Sequence, residues 1–245
     1  MELLWRTPRV VGAPADVPHL CRLLEDAARG HATHLGVGVE HLHAMGRAWV
    51  LSRFSLRLHR MPRAGDDVEV ITWPSRRTAG IRAWRDFQLV SNSGELLAEA
   101  TSIWPILDVA NRRLTRLPPM FSELQFPDRD TQIAPVAQSF PDRPPDSVSV
   151  HAVSALDLDE NNHANNVSYV AWAFSSLTPA SGEAWQLEEL HVEYAGEAFL
   201  DDLVTISAWD ESVGRARRVQ QRMETAGRLL TRLLSVWGPA TPEQK

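Results

Sequence analysis

The chain has 245 residues, 44% hydrophobic and 23% charged, with a formal net charge of −6. This is a globular composition with enough length for a sizeable core, and it excludes disorder and fibrous repeats. No stretch approaches the roughly 18 uninterrupted apolar residues of a membrane helix, and the first six residues carry neither a basic leader nor an apolar run, so the expectation is a cytoplasmic protein, neither secreted nor membrane-spanning.

Asp16 is placed to cap a helix whose apolar residues Val17, Leu20, Cys21, Leu24, Ala27 and Ala28 follow the i, i+3, i+4 rule. Cys21 is the single cysteine; it excludes an intrachain disulfide and, lying on the apolar stripe, reads as packing rather than as a nucleophile. His31, His34, His41 and His43 have ligand-like spacings, yet no cysteine or acid completes a set, so no metal and no other cofactor is expected. Further on, Phe54, Leu56 and Leu58 alternate with Ser55, Arg57 and His59, predicting a strand with one polar face. Asp66-Asp67 opens a strand that reaches Trp73, and Gly94 starts a long one that reaches Trp104. Residues 119–146, rich in proline, predict a semi-extended linker. Beyond it, Asn165 or Asn166 caps a helix of Val167, Val170, Ala171, Phe174 and Leu177 that Pro179 closes. Leu190, Val192 and Tyr194 then alternate with His191 and Glu193, and Asp201-Asp202 opens a strand toward Trp209.

The second half repeats the first. Gly94-Glu-Leu-Leu-Ala-Glu-Ala-Thr-Ser-Ile-Trp104 matches Gly227-Arg-Leu-Leu-Thr-Arg-Leu-Leu-Ser-Val-Trp237 at a constant offset of 133 residues, sharing Gly, Leu-Leu, Ser and Trp. The predicted organisation is therefore a unit at 1–118, the linker at 119–146 and a second unit at 147–245. Each is α+β, one helix followed by long antiparallel strands that wrap it, an arrangement that resembles two tandem hotdog units, a double hotdog. Charge divides unevenly: residues 1–118 hold 16 Arg against 12 acids, net +4, and residues 119–245 hold 9 basic residues against 19 acids, net −10. The positive half suits an acidic partner. A pI of 5.8 without a nucleic-acid-binding motif argues against DNA or RNA.

The densest polar cluster, Asp157-Leu-Asp-Glu-Asn-Asn-His-Ala-Asn-Asn166, precedes the second helix and has no counterpart before the first. Capping alone needs only one or two of these residues. Asp159, Asn161 and His163 alternate, which places them on one side of an extended segment running to a helix N-terminus. Unpaired helix amides can hold an oxyanion, an imidazole or carboxylate can activate water, and a carboxamide can orient it. The cluster lacks Ser and Cys, which leaves water or a carboxylate as the attacking group.

The run Asp157-Leu-Asp-x-Asn-x-His-x-Asn-Asn166, with Tyr169 three positions on, resembles the active-site signature of the acyl-acyl carrier protein thioesterases. Trp49-Val-Leu-Ser-Arg53, Gly65-Asp66, Thr72-Trp-Pro-Ser75, Arg85-Asp-Phe87 and Ala100-Thr-Ser102 continuing to Trp104 sit in that family's order. The resemblance implies a double-hotdog hydrolase of the bacterial type that cleaves fatty acyl-acyl carrier protein and ends chain elongation. It also implies catalytic residues at Asp159, Asn161 and His163, and a fourth at Glu197 in Tyr194-Ala-Gly-Glu197-Ala198, where Ala198 replaces the family's cysteine. Trp49, Trp84 and Trp104, with Asn165 and Asn166, are the candidate substrate-binding residues, and Leu51 and Ile106 are further candidates to line the acyl pocket of the first unit. Arg57, Arg60, Arg76, Arg77, Arg112 and Arg113 form the candidate docking set for an acidic carrier protein. An acyl-coenzyme A thioesterase, a hotdog dehydratase and a non-catalytic acyl-binding protein remain alternatives, and both a monomer and a homodimer are compatible with the sequence.

Overall fold

The computed structural model describes residues 3–13, 15–122, 126–177, 185–213 and 215–240. The chain divides into two compact units, Met1–Pro135 and Val136–Lys245.

In the first unit, strand β1 (Trp5–Val10) leads into helix α1 (Val17–His34), followed by α2 (Val39–Ala44), β2 (Arg47–Trp49), β3 (Arg53–Leu58), β4 (Asp67–Pro74), β5 (Arg82–Ser91), β6 (Leu96–Asp108) and β7 (Arg113–Thr115). Asp16 caps α1, its carboxylate accepting from the His19 amide at 2.9 Å, and the periodic apolar residues of the helix are buried. The strands order β1-β4-β5-β6-β3, all antiparallel, with β2 and β7 on the far end of β6.

In the second unit, β8 (Ser147–Ala152) precedes α3 (Asn166–Ser175), and β9 (Trp185–Tyr194), β10 (Leu203–Val213), β11 (Ala216–Thr225) and β12 (Arg228–Pro239) follow. Their order, β8-β10-β11-β12-β9, is that of the first unit. A strand precedes the helix in each unit, β1 and β8, where sequence patterning reads the helix as the opening element. Helix α3 is enclosed on more sides than its apolar stripe predicts, with Tyr169, Trp172 and Ala173 buried beside Val167 and Val170. The proposed stop at Pro179 lies outside the described residues.

The repeat is visible in single hydrogen bonds. Trp104 Nε1 donates to Ser102 Oγ at 2.7 Å, and Trp237 Nε1 donates to Ser235 Oγ at 2.8 Å. The amides of His59 and Arg60 both reach the Leu97 carbonyl, as those of Ala195 and Gly196 reach that of Leu230. Asp66 accepts from the Arg63 amide and Asp202 from the Phe199 amide, each at 2.9 Å. The matched acidic turns therefore earn their place as backbone staples.

The polar strand faces are covered. Ser55 and His191, expected on solvated faces, are 1% and 2% exposed. The proline-rich stretch does part of this covering within each unit. In the first, the Arg129 guanidinium lies over Trp73, whose Nε1 donates to the Arg129 carbonyl, and the Gln132 amide donates to Glu99. In the second, Gln138 donates to the carbonyls of His191 and Arg232, and Phe140 packs on Trp209. Proline supplies no amide to a ladder, so this stretch binds through side chains and isolated backbone groups.

Candidate active site

The polar cluster divides into a structural part and an open part. Asp157 belongs to the first: its side chain accepts from the Ser154 amide and hydroxyl and from Trp172 Nε1 at 2.9 Å, and its carbonyl accepts from the Asn165 amide and the Ser168 hydroxyl. Burial favours its neutral form, but these donors outweigh burial and hold the Asp157 carboxyl below its usual range. Asn165 is structural too, as its Oδ1 accepts from the Val167 amide and caps α3. The Ser168 amide is held by the Asn165 carbonyl. Two amides at the start of α3 are therefore already bonded, and the helix end offers fewer oxyanion donors than the sequence suggests. Asn166 is the first helical residue, and its carbonyl accepts from the Tyr194 hydroxyl at 3.1 Å.

Asp159 shapes the loop that carries the open part. Its Oδ1 accepts from the amides of Asn161 at 2.8 Å and His163 at 3.3 Å, while its own amide donates to the His163 carbonyl. Asn162 takes a φ of 60° to close that loop, a conformation asparagine tolerates. Asn161 is exposed and His163 half-buried. His163 Nδ1 lies 3.7 Å from Glu197 Oε1, within ion-pair reach but beyond hydrogen-bond length, and its ring meets Phe199 edge-on at 5.2 Å. Residues from two connectors thus meet beside the start of α3. Ala198 is fully buried next to Glu197.

The candidate pocket residues do not share one surface. Opposed residues of an antiparallel pair lie on one face. Trp104 is opposite Ala83, and Arg85, next but one to Ala83, contacts His31 of α1 at 3.0 Å, so Trp104 stands on the helix-covered face. Trp49, opposite the buried Ile106, donates to the Val37 carbonyl and packs against Phe121, in a cluster with Leu35 and Val37. Trp84 is opposite Ile103 on the other face of β5, under the Arg77 guanidinium at 4.6 Å. Trp84 and Trp104 therefore cannot line one side of the sheet together. Leu51 is half-buried between β2 and β3.

Four of the six docking arginines face acids of their own unit. Arg57 pairs with Glu99, Arg60 forks onto Glu95, Arg76 bonds Asp128 and Asp130, and Arg77 bonds the buried Asp86. Arg112 and Arg113 stand exposed at the β6–β7 turn. Arg57 is answered across a strand pair by Glu99 of β6, whereas Arg60, Arg76 and Arg77 stand outside the strands and reach acids of their own unit from turns. Sequence reasoning passed over Arg85, which burial pushes down to about 10 while its Nη1 bonds His31 and Thr72. Burial pushes the Cys21 thiol up to about 12, which removes it as a nucleophile at neutral pH.

The family model of the acyl-ACP thioesterase N-terminal domain matches residues 11–124, and that of the C-terminal domain matches residues 145–237. The chain belongs to the acyl-ACP thioesterase family. A palmitoyl-acyl carrier protein thioesterase of Gossypium hirsutum is 32% identical over 213 residues, 79% of this chain and 51% of that protein. The chain spans about half the length of the curated relatives it matches. An acyl-ACP thioesterase structure from Bacteroides thetaiotaomicron aligns with a TM-score of 0.84 at 18% identity, covering 96% of this chain and 97% of that one. The 12:0-ACP thioesterase of Umbellularia californica gives 0.82 at 22% identity, covering 97% and 95%. At those identities the two structures establish the fold, α+β with two hotdog units. No helix among the described residues is long and apolar enough to cross a membrane.

Proposed function

We propose that the chain hydrolyses the thioester joining a fatty acyl group to acyl carrier protein, releasing the free fatty acid and ending elongation. The observation that carries this reading is the meeting of His163 and Glu197, from two separate connectors, at 3.7 Å beside α3 in a member of this family. Glu197 and His163 together take a proton from water, whose oxygen adds to the thioester carbonyl carbon. The C–S bond then breaks, the proton held by His163 and Glu197 passes to the departing sulfur to give the phosphopantetheine thiol, and the acyl group leaves as a carboxylic acid that loses its remaining proton to solvent. Asn161, exposed on the same loop, orients the water or the carbonyl oxygen, and Asp159 holds the loop in shape through the amides of Asn161 and His163. The acyl chain lies on the helix-covered face of the first unit, where Trp49 and Trp104 stand. Docking of the carrier falls to the exposed pair Arg112 and Arg113 within the sequence-derived set. The proposed setting is the cytoplasm, where a free thiol such as Cys21 stays reduced.

Thiol release from acyl-acyl carrier proteins of graded chain length, run beside the matching acyl-coenzyme A thioesters and with His163→Ala as control, tests the reading. Release from the carrier-protein substrates that the control lacks is the expected result. Release from coenzyme A thioesters alone would move the assignment to the other carrier, and binding without release would remove the hydrolase reading.

A further inference from the structure

Glu197 sits in the connector at 195–202, between β9 and β10, and an eight-residue loop holds a side chain in register only where its backbone is tied. Its first tie is the Leu230 carbonyl, which accepts from Ala195 at 2.8 Å and Gly196 at 3.1 Å. Its last are the Asp202 carboxylate on the Phe199 amide and the Asp201 amide on the Val153 carbonyl at 3.0 Å. The equal-length connector at 59–66 of the first unit has both: His59 and Arg60 on Leu97, Arg63 on Asp66, and Gly65 on Val11.

Among the described residues, the middle tie exists only in the second unit. The Ala198 amide donates to Tyr169 Oη at 2.8 Å, and the Ala198 carbonyl accepts from the Ala164 amide, next to His163, at 2.8 Å. Counting along the matched connectors, Pro62 stands where Ala198 does, and proline has no amide hydrogen to donate. Counting from the two N-caps, Leu20 stands where Tyr169 does, and leucine has no acceptor. Donor and acceptor are thus both absent from the unit whose connector carries Met61 in place of Glu197. The phenol is held rigidly, its ring packed 4.9 Å from Trp172 and 5.9 Å from Tyr194. Burial, with Glu197 nearby adding to it, pushes the Tyr169 hydroxyl up to about 12, so it stays neutral while accepting.

We propose that Tyr169 is a positioning residue, whose phenol oxygen fixes the Ala198 amide and so holds Glu197 against His163. The inference rests on the hydrolase reading and adds to it a residue that touches neither substrate nor water. In Tyr169→Phe, kcat for thiol release should fall roughly 10- to 100-fold, the scale of a misplaced catalytic group, with KM nearly unchanged and the Ala198 amide exchanging faster with solvent. In a Glu197→Gln background the same substitution should cost nothing further, because a residue acting only through Glu197 has nothing left to position. If Tyr169→Phe does not fold, Ala198→Pro, which removes the donor and copies Pro62, carries the same expectation. Unchanged kcat in Tyr169→Phe, or an equal loss in both backgrounds, would overturn the positioning role while leaving the hydrolase reading standing. Absence of turnover in the unaltered protein would overturn both.

Discussion

The two units share a strand order, two backbone staples and one connector of equal length, 59–66 in the first and 195–202 in the second, yet they differ where the chain approaches the helix. The first unit passes from β1 to α1 through residues 11–16, and the second passes from β8 to α3 through residues 153–165. The additional residues build the loop that carries His163, and the matched connector opposite it exchanges Met61 for Glu197 and Pro62 for Ala198. A duplicated scaffold can therefore gain a polar site at little structural cost, since the staples that hold each connector stay in both copies and the changes fall on loop residues and on one helix position, Leu20 in α1 and Tyr169 in α3. Asp157 marks the boundary, because it sits within the added loop but serves packing.

The sharpest way to break the comparison is to remove what only one unit has. His163→Ala and Glu197→Gln should each lower kcat by about 10²- to 10⁴-fold, with melting temperatures close to that of the unaltered protein. Next in size are the shared positions. Leu97 and Leu230 occupy corresponding places and are both fully buried, so alanine at either should cost about 2–5 kcal/mol in denaturant unfolding. A loss confined to one unit would show that the duplicated cores do not bear load alike.

Asp159 separates a loop staple from a base. Asp159→Asn keeps an acceptor for the amides of Asn161 and His163, so it should retain more turnover than Asp159→Ala. Equal losses would reassign proton abstraction to Asp159. A smaller effect concerns Asp157, whose folded carboxyl lies below its ordinary value. A depressed carboxyl stabilises the fold fully above its unfolded pKa of about 3.9 and loses that contribution as pH falls through the folded value. Melting temperature followed from pH 7 downward should therefore drop less steeply on acidification in Asp157→Asn than in the unaltered protein. Met61→Glu should change turnover least of all, because a carboxylate there meets no counterpart of His163 on its own unit's six-residue helix approach; a gain in activity would contradict the idea that the added loop is what makes the site.

Much of this was legible in the residues. The offset between Gly94–Trp104 and Gly227–Trp237, the Asp16 and Asn165 caps, and the Asp159-x-Asn-x-His163 run are local patterns, set by side-chain period and by which residues can hydrogen-bond their own backbone. Strands β1 and β8 escaped because a six-residue edge strand with exposed residues carries a weak alternation signal. Tertiary packing alone decided the rest. It enclosed Ser55 and His191 on faces that alternate like solvated ones, and it set Trp84 and Trp104 on opposite sides of a sheet. It answered Arg57, Arg60, Arg76 and Arg77 with acids from other segments of the same unit, and it brought Glu197 to His163 across 34 positions of sequence. The division has a physical cause: helix caps and strand period depend on neighbours a few residues apart, whereas charge pairing, burial of a polar face and the meeting of two loops depend on which distant segments the sheet lays side by side.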